Sequence, residues 1–318
     1  MNDTRRAVLD ALADGPVAGP ALADRLGVSR AAVWKHVEAL RDAGFGIEST
    51  GEGYVLDAIP EFGGLAVEYG CEAPFEVEYH ETLPSTNDRA RDLAADGASD
   101  VVVLADEQTG GRGRLDRAWS SPPGGVWLSV VCRPALAPSR VSLLTVAASA
   151  AACGAVREAG VDARIKWPND LLVPDPDAER GGRKLAGLLT EMEGEAGRVS
   201  WVVLGLGLNA NVPADALPAD ADATSLLVER GGDPVDRRRL VQRFLERFDD
   251  LRDDPDAARD AWRDHAATLG QRVRVTLPSE TIVGEAVDVT EVGALVVDTG
   301  TERRVVHAGD CEHLRPAE

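Results

Sequence analysis

An α+β chain in three parts is what this sequence predicts: a small helical unit at the N-terminus, a central mixed sheet with helices, and a short all-β unit at the C-terminus. Three observations predict it. Residues 1–58 show helix-period apolar spacing that gives way to a hairpin pattern. Residues 75–208 hold short apolar runs separated by Gly- and Pro-rich turns, with one Ala-rich helical stretch among them. From residue 271 onward apolar residues alternate with polar ones at short intervals. The 318 residues, 44% of them hydrophobic, leave room for two or three domains. The boundaries fall at 1–58, 66–269 and 270–318.

In the first unit Val8, Leu9 and Leu12 make one apolar face and Leu22 and Leu26 the next, closed by Gly27. Ser29 then caps a longer helix over 30–43, with Val33, Val37 and Leu40 inward at i, i+4 and i+7. Residues 45–56 alternate around Gly51-Glu52-Gly53 as a two-stranded wing does. This is the order of a winged helix-turn-helix, whose last helix is offered to a major groove. Charge argues both ways. The unit has six basic residues against nine acidic, yet within 25–41 Arg25, Arg30, Lys35 and Arg41 meet only Glu38. Such a local cationic stripe suits phosphate contact, and Arg25, Ser29, Arg30, Trp34 and Lys35 are the candidate DNA-binding residues. The competing reading is a winged helix kept for dimerisation or as a vestige.

Residues 57–74 read as a linker with a short leading segment, and 75–80 as a strand. In Thr82-Leu83-Pro84-Ser85-Thr86-Asn87, Ser85 caps a helix through Ala95. Either the motif is only a cap, or its hydroxyls, amide and free N–H groups grip a polar ligand. A buried strand over 101–105 runs into Asp106-Glu107-Gln108-Thr109-Gly110-Gly111-Arg112-Gly113-Arg114, expected to be a loop, and a second strand follows over 126–131. Glycines let backbone approach a ligand, and guanidinium forks take carboxylate or phosphate oxygens in pairs, so the loop suits a small anion. Gly-Arg runs also mark disordered RNA-binding tails and ordinary surface loops. An Ala-rich helix over 141–159 crosses the sheet, and the strand 163–167 stops at Pro168-Asn169-Asp170. Residues 173–182 (with Pro174 and Pro176) read as a surface loop. Arg183-Lys184-Leu185-Ala186-Gly187 opens a strand to 192, and 201–208 pairs with it, ending at Asn209. Lys166 and Asp170 thereby come to a strand end, where open sheets collect ligand groups. A mobile flap over 211–222, helices over 235–251 and 255–269, and a β-barrel of about 50 residues complete the chain.

Composition narrows the function classes. A formal net charge of −20 argues against nucleic acid for the molecule as a whole. Only Lys35, Lys166 and Lys184 are lysines among 34 basic residues, so an ammonium marks a place that requires one. Acidic, arginine-using composition fits a salt-rich cytoplasm, and a GC-rich genome is the alternative source of the arginines. Cys71, Cys132, Cys153 and Cys311 are scattered without a CxxC pair and read as reduced structural thiols. His307, Cys311 and His313 lie close together but lack metal-site spacing, so no fixed protein metal site is expected. The sequence shows no apolar run of about 18 residues and no signal-peptide core, which predicts a cytoplasmic chain without a membrane span. No Walker A or GxGxxG pattern occurs.

Five motifs in register carry a resemblance: Ser85-Thr86-Asn87, Glu107 through Arg114, Lys166-Trp167-Pro168-Asn169-Asp170, Arg183-Lys184-Leu185-Ala186-Gly187 and Gly205-Leu206-Gly207-Leu208-Asn209. Together they closely resemble the biotin–protein ligases. With the winged helix, the whole chain looks like the bifunctional kind that also represses the biotin operon. The resemblance implies a class II synthetase-like catalytic domain and an SH3-like C-terminal barrel. It implies ATP- and Mg2+-dependent activation of biotin to biotinyl-5′-AMP, then transfer to a lysine of a biotin carboxyl carrier domain. It implies biotin binding by Ser85, Thr86, Asn87, Gln108, Arg112, Gly113, Arg114 and Lys184. Lys184, Arg112 and Arg114 are then catalytic, Lys166, Asp170 and Asn209 serve ATP and the adenylate, and the chain is a homodimer on operator DNA. Two departures stand out. Ala223 occupies the place where some members carry an aromatic that covers adenine, and the 170–184 loop is long. The alternatives are a lipoate–protein ligase, whose Gly-Gly-Gly run and histidine are missing after Arg114, and a biotin sensor without catalysis.

Overall fold

The computed structural model describes residues 1–175, 177–178, 181–195, 197–218 and 222–314. The N-terminal unit comprises α1 (Asp3–Ala13), α2 (Gly19–Leu26), α3 (Arg30–Asp42) and the hairpin β1 (Gly46–Thr50) and β2 (Gly53–Ala58). Gly27 ends α2 at φ 64°, in the left-handed region where a Cβ is costly, and the Ser29 hydroxyl accepts from Ala32 N at 3.1 Å to start α3. Val8, Leu12, Leu22, Val33, Val37 and Leu40 bury together in a core of their own. Within the expected linker lies a short helix, α4 (Gly64–Glu68). Arg237 fastens this connection. Its guanidinium bonds Glu61 at 2.8–2.9 Å, sits 4.0 Å from the Phe62 ring centroid, and also pairs with Asp106 of the central unit.

Seven strands form the central sheet: β3 (Glu76–Leu83), β4 (Val101–Gln108), β5 (Val126–Cys132), β6 (Arg164–Lys166), β7 (Asp170–Pro174), β8 (Gly182–Glu195) and β9 (Arg198–Leu208). Their order is β3-β4-β5-β9-β8-β7-β6, parallel only between β3 and β4, which α5 (Thr86–Ala95) connects. The apolar run 101–105 has no polar alternation because both faces of β4 are covered: Val102 and Leu104 meet the main core, Val103 and Ala105 the smaller one beneath α5. On the first face lies α6 (Ser142–Glu158), almost wholly buried, with α8 (Arg237–Arg252) and α9 (Pro255–His265) against it. By length and composition alone the stretch Pro138–Glu158, with an 18-residue window of mean hydropathy 1.4, would suffice to cross a membrane. Here 78% of that window is buried inside the protein, as a core helix requires. A four-residue helix, α7 (Leu226–Glu229), precedes α8.

Several elements differ from expectation for local reasons. β4 runs on to Gln108, because residues 106–108 continue the pairing with β3 and bridge to Ser121. The helix expected to reach 269 stops at His265; Ala266 then bridges β6 at Ile165, and Thr268 Oγ1 accepts from Trp167 N at 2.9 Å. In the expected flap, Val212 is fully buried and Ala214–Ala216 form a 3-10 turn; residues 219–221 lie outside the described residues, as do 176, 179 and 180 of the expected surface loop. The C-terminal unit has β10 (Arg272–Thr276), β11 (Thr281–Val289), β12 (Leu295–Asp298), β13 (Arg303–Val306) and β14 (Asp310–His313) in the antiparallel order β13-β12-β11-β10-β14. Among the described residues β13 and β14 remain edges, so the ladder is an open form of the expected barrel. Its inward residues Val273, Val275, Ile282, Ala286 and Val297 join the main core.

Candidate active site

The site begins with a shortage of side chains. On the sheet face that carries α5, register places Ser129 opposite Gly205 and Leu189, and Trp127 opposite Gly207 and Gly187. Residues in register share a face, so one hydroxyl and three glycines leave a hollow where large apolar groups would otherwise stand. The hollow is a cavity of about 370 Å³ that includes Ser85, Thr86, Asn87, Gln108, Arg112, Gly113, Arg114, Asp170, Lys184 and Asn209 in its lining. A second cavity of about 780 Å³ opens beside it, lined by Lys166, Trp167, Asp177 and His313 among others. Arg114, Arg117, Asn169, Asp170, Lys184 and Asp310 border both.

Hydrogen bonds fix the polar floor of the inner chamber. Ser85 Oγ accepts from Asp88 N at 3.3 Å, so locally it is a helix cap. Thr86 donates from N at 2.8 Å and from Oγ1 at 3.1 Å to Gln108 Oε1, while Gln108 Nε2 donates to Ser121 Oγ at 2.9 Å. Asn87 Nδ2 donates to Glu191 Oε2 at 2.7 Å, and its Oδ1 accepts from the fully buried Ser129 Oγ at 2.6 Å. Ser129 and Glu191 escaped the sequence reading. A lone serine inside Val126-Trp127-Leu128-Ser129-Val130-Val131 was a usable signal; Glu191, one acid among 54 acidic residues, was not. Gly205 is required: a Cβ there would stand 2.2 Å from Asn87 Oδ1.

The Gly/Arg segment is a closed hairpin rather than an open loop. Trp119 N donates to Gly111 O at 2.9 Å, and Gly113 N to Arg117 O at 2.8 Å, leaving residues 114–116 as the tip. Leu115 at that tip has φ 57° and is 75% exposed, a conformation that strains a branched side chain. Gly111 again leaves no room, since a Cβ would meet Trp119 O at 2.5 Å. Arg112 pairs with Asp88. Arg114 does not lie over the inner chamber alone; it reaches Asn169 Oδ1 at 3.0 Å and Gly309 O, in the C-terminal unit, at 2.7 Å. Arg117 pairs with Asp310 Oδ2 at 2.8 Å. That guanidinium, aided by Arg114 and Lys166, holds the Asp310 carboxyl below the usual carboxylate range.

At the junction of the chambers Lys184 Nζ lies 2.7 Å from Asp170 Oδ1 and 5.0 Å from the Trp119 ring centroid. Backbone bonds on both sides pin it: Lys184 N donates to Asp222 O at 2.6 Å, and Lys184 O accepts from Thr224 N at 2.9 Å. Asn209 Nδ2 donates to Thr224 O at 2.9 Å, so its side chain fastens the segment that holds Lys184. Lys166 is buried in the lining of the outer chamber. In the N-terminal unit Arg25, Ser29, Arg30, Trp34 and Lys35 are all exposed, Trp34 by 55%, about α3.

Comparison with known proteins follows the same three units. A profile of the biotin/lipoate A/B protein ligase family matches residues 79–209, one of the biotin protein ligase C-terminal domain matches 268–314, and one of the HTH domain matches 4–55. The bifunctional ligase/repressor BirA of Bacillus subtilis (strain 168) is 32% identical over 310 residues, 93% of this chain and 93% of that protein. The chain belongs to the biotin protein ligase family. A biotin–[acetyl-CoA-carboxylase] ligase of Mycobacterium tuberculosis is 38% identical over 247 residues, covering 73% of this ligase and 86% of that one. The biotin protein ligase from Aquifex aeolicus in complex with biotin and ATP shares the fold, with TM-score 0.62 at 23% identity over 75% of this chain and 99% of that chain. The lipoate alternative shares only the first profile; the C-terminal match sets this ligase on the biotin side.

Proposed function

We propose that this ligase converts biotin and ATP to biotinyl-5′-AMP and pyrophosphate, then passes the biotinyl group to a lysine of a biotin carboxyl carrier domain. The observation that carries this reading is the meeting of two chambers at the Lys184–Asp170 pair. The inner one combines apolar walls with the amides and hydroxyls that a ureido ring needs. The outer one gathers Lys166, Arg114 and Arg117 where phosphates would lie.

In the first step a biotin carboxylate oxygen attacks the α-phosphorus; the bond to the bridging oxygen breaks and its electron pair leaves with pyrophosphate. Two unit charges about 4 Å apart repel by about 4 kcal/mol at an effective dielectric near 20. That is roughly a thousandfold in rate, so a fixed cation between them decides the step. Lys184 fills this role, with Asp170 aiming its ammonium and Arg112 drawing the carboxylate in. Asn209 acts by holding the Lys184 segment, and Lys166 serves the phosphates. Asp170 and Asp310 border the outer chamber, and no trio of metal-ligating side chains is gathered among the described residues. Mg2+ brought by the nucleotide would neutralise phosphate charge there, with Asp170 or Asp310 placed to add a carboxylate. In the second step the carrier amine attacks the acyl carbon and AMP departs.

The exposed α3 residues bind operator DNA, with adenylate-promoted homodimerisation pairing two winged helices; both partners place the chain in the cytoplasm. The test supplies biotin, Mg-ATP and a carrier domain, and reads pyrophosphate release and carrier mass. Lys184→Ala should lose adenylate formation by more than about a hundredfold with its fold intact. Normal biotin binding without transfer in the unaltered chain would favour a sensor.

A further inference from the structure

We propose that Asp88, Arg91 and Glu191 are positioning residues that tie the seating of the Gly/Arg hairpin to the polar floor of the inner chamber. The idea rests on the biotin-ligase reading and adds to it a means by which the two sides of the biotin site respond to each other. Arg112, on the hairpin, pairs with the Asp88 carboxylate on the first turn of α5. The same carboxylate oxygen takes Arg91, one turn further along the helix. Through its other amino group Arg91 reaches Glu191 Oε1 on β8 at 2.9 Å. The second oxygen of Glu191 takes Asn87 Nδ2 at 2.7 Å. Charges therefore alternate without a gap from a guanidinium on the hairpin to an amide in the chamber floor.

Stability alone does not account for this line. Its four ionised members are between 27% and 40% exposed, and exposed pairs contribute about 0–1 kcal/mol each. What distinguishes it is where it ends. Arg112 and Asn87 both line the inner chamber, one on the hairpin and one on α5, with their hydrogen bonds going to Asp88 and to Glu191. Asn87 has little freedom of its own. Ser129 Oγ lies 2.6 Å from its Oδ1 and Glu191 Oε2 accepts from its Nδ2, and the missing Cβ of Gly205 leaves the room in which the amide sits. A ligand carboxylate that draws Arg112 away from Asp88 leaves Asp88 with Arg91 alone. Arg91 then shifts toward Asp88, and the Glu191 carboxylate that it orients moves with it, together with the Asn87 amide. Coupling between separated groups is carried by hydrogen-bond and salt-bridge networks of this sort.

The test is a set of variants of the full chain with two readouts. Calorimetric titration with biotin should show Glu191→Gln binding about tenfold more weakly, with KM for ATP changed less than about twofold. Arg91→Lys should recover most of what Arg91→Gln loses, since a cation is kept. Arg112→Gln combined with Glu191→Gln should lose less than the product of the single losses, although these two side chains do not touch. Strictly multiplied losses, or a folded Arg91→Gln variant with unchanged biotin affinity, would overturn the proposal. Independently of any ligand, the Asn87 side-chain amide resonance should move in Arg112→Gln, and a stationary signal would also overturn it. An unaltered chain that binds no biotin, with that resonance still moving, would count against the ligase reading alone.

Discussion

Single residues decide the shape of the inner chamber. A methyl group at Gly205 would stand 2.2 Å from Asn87 Oδ1, where neither the sheet backbone nor the helix can give way cheaply. Gly205→Ala should therefore weaken biotin binding by about tenfold or more while costing about 1–3 kcal/mol of stability, as overpacking does. Biotin titration beside a urea melt checks both; unchanged affinity would mean that Asn87 is not held where binding needs it. His313 supplies a prediction about pH. Burial, with Lys166 adding to it, pushes the imidazole down to about 4, and Thr268 Oγ1 lies 3.0 Å from its Nε2. An unfolded imidazole titrates near 6.5, so between these values the unfolded chain binds the extra proton. The stabilising contribution is then full above about pH 6.5 and is lost as pH falls toward 4, about 2 kcal/mol of it by pH 5. Between pH 7 and 5 the urea midpoint should fall more in the unaltered chain than in His313→Gln, and equal falls would exclude His313 as the source.

Two elements carry function through their attachments. The hairpin that includes Arg112 and Arg114 is held to the C-terminal unit by Arg114 to Gly309 O and Arg117 to Asp310. Exposed pairs of this kind contribute under about 1 kcal/mol, so Asp310→Asn should leave the thermal midpoint almost unchanged. Hydrogen exchange of the hairpin amides of Gly113 and Trp119 should nevertheless quicken, because local opening draws on few bonds. Exchange rates equal to those of the unaltered chain would show that the latch is idle. α3 presents Arg30 and Lys35 on its exposed side. If each neutralises one phosphate, Arg30→Ala and Lys35→Ala should each lower the slope of log affinity against log salt by about 0.9. A slope that stays put would leave the winged helix to dimerisation.

At the scale of the whole molecule charge sets the conditions. A net charge of −20 repels itself, and a Debye length of about 3 Å at 1 M salt removes most of that repulsion. The chain should lose its fold as KCl is withdrawn, read by circular dichroism; indifference to salt would return the composition to genome base content. The same screening weakens the counterion-release part of any DNA binding, so contacts that do not depend on charge would gain relative weight.

Much was legible before any coordinates. Helix starts at Ser29 and Ser85 followed from caps, the double-sided burial of 101–105 from its unbroken apolar run, and the ligase family from five motifs in order. These are local features, in which neighbours along the chain supply the physical cause. What only the tertiary structure decided are relations between distant segments. Ser129, Gly187, Gly205 and Gly207 make a chamber only once β5, β8 and β9 align, and Glu191 acquires a purpose only beside Arg91 and Asn87. Arg114 turned toward Gly309, 195 residues away, because hydrogen bonding and charge act through space and are blind to separation along the chain.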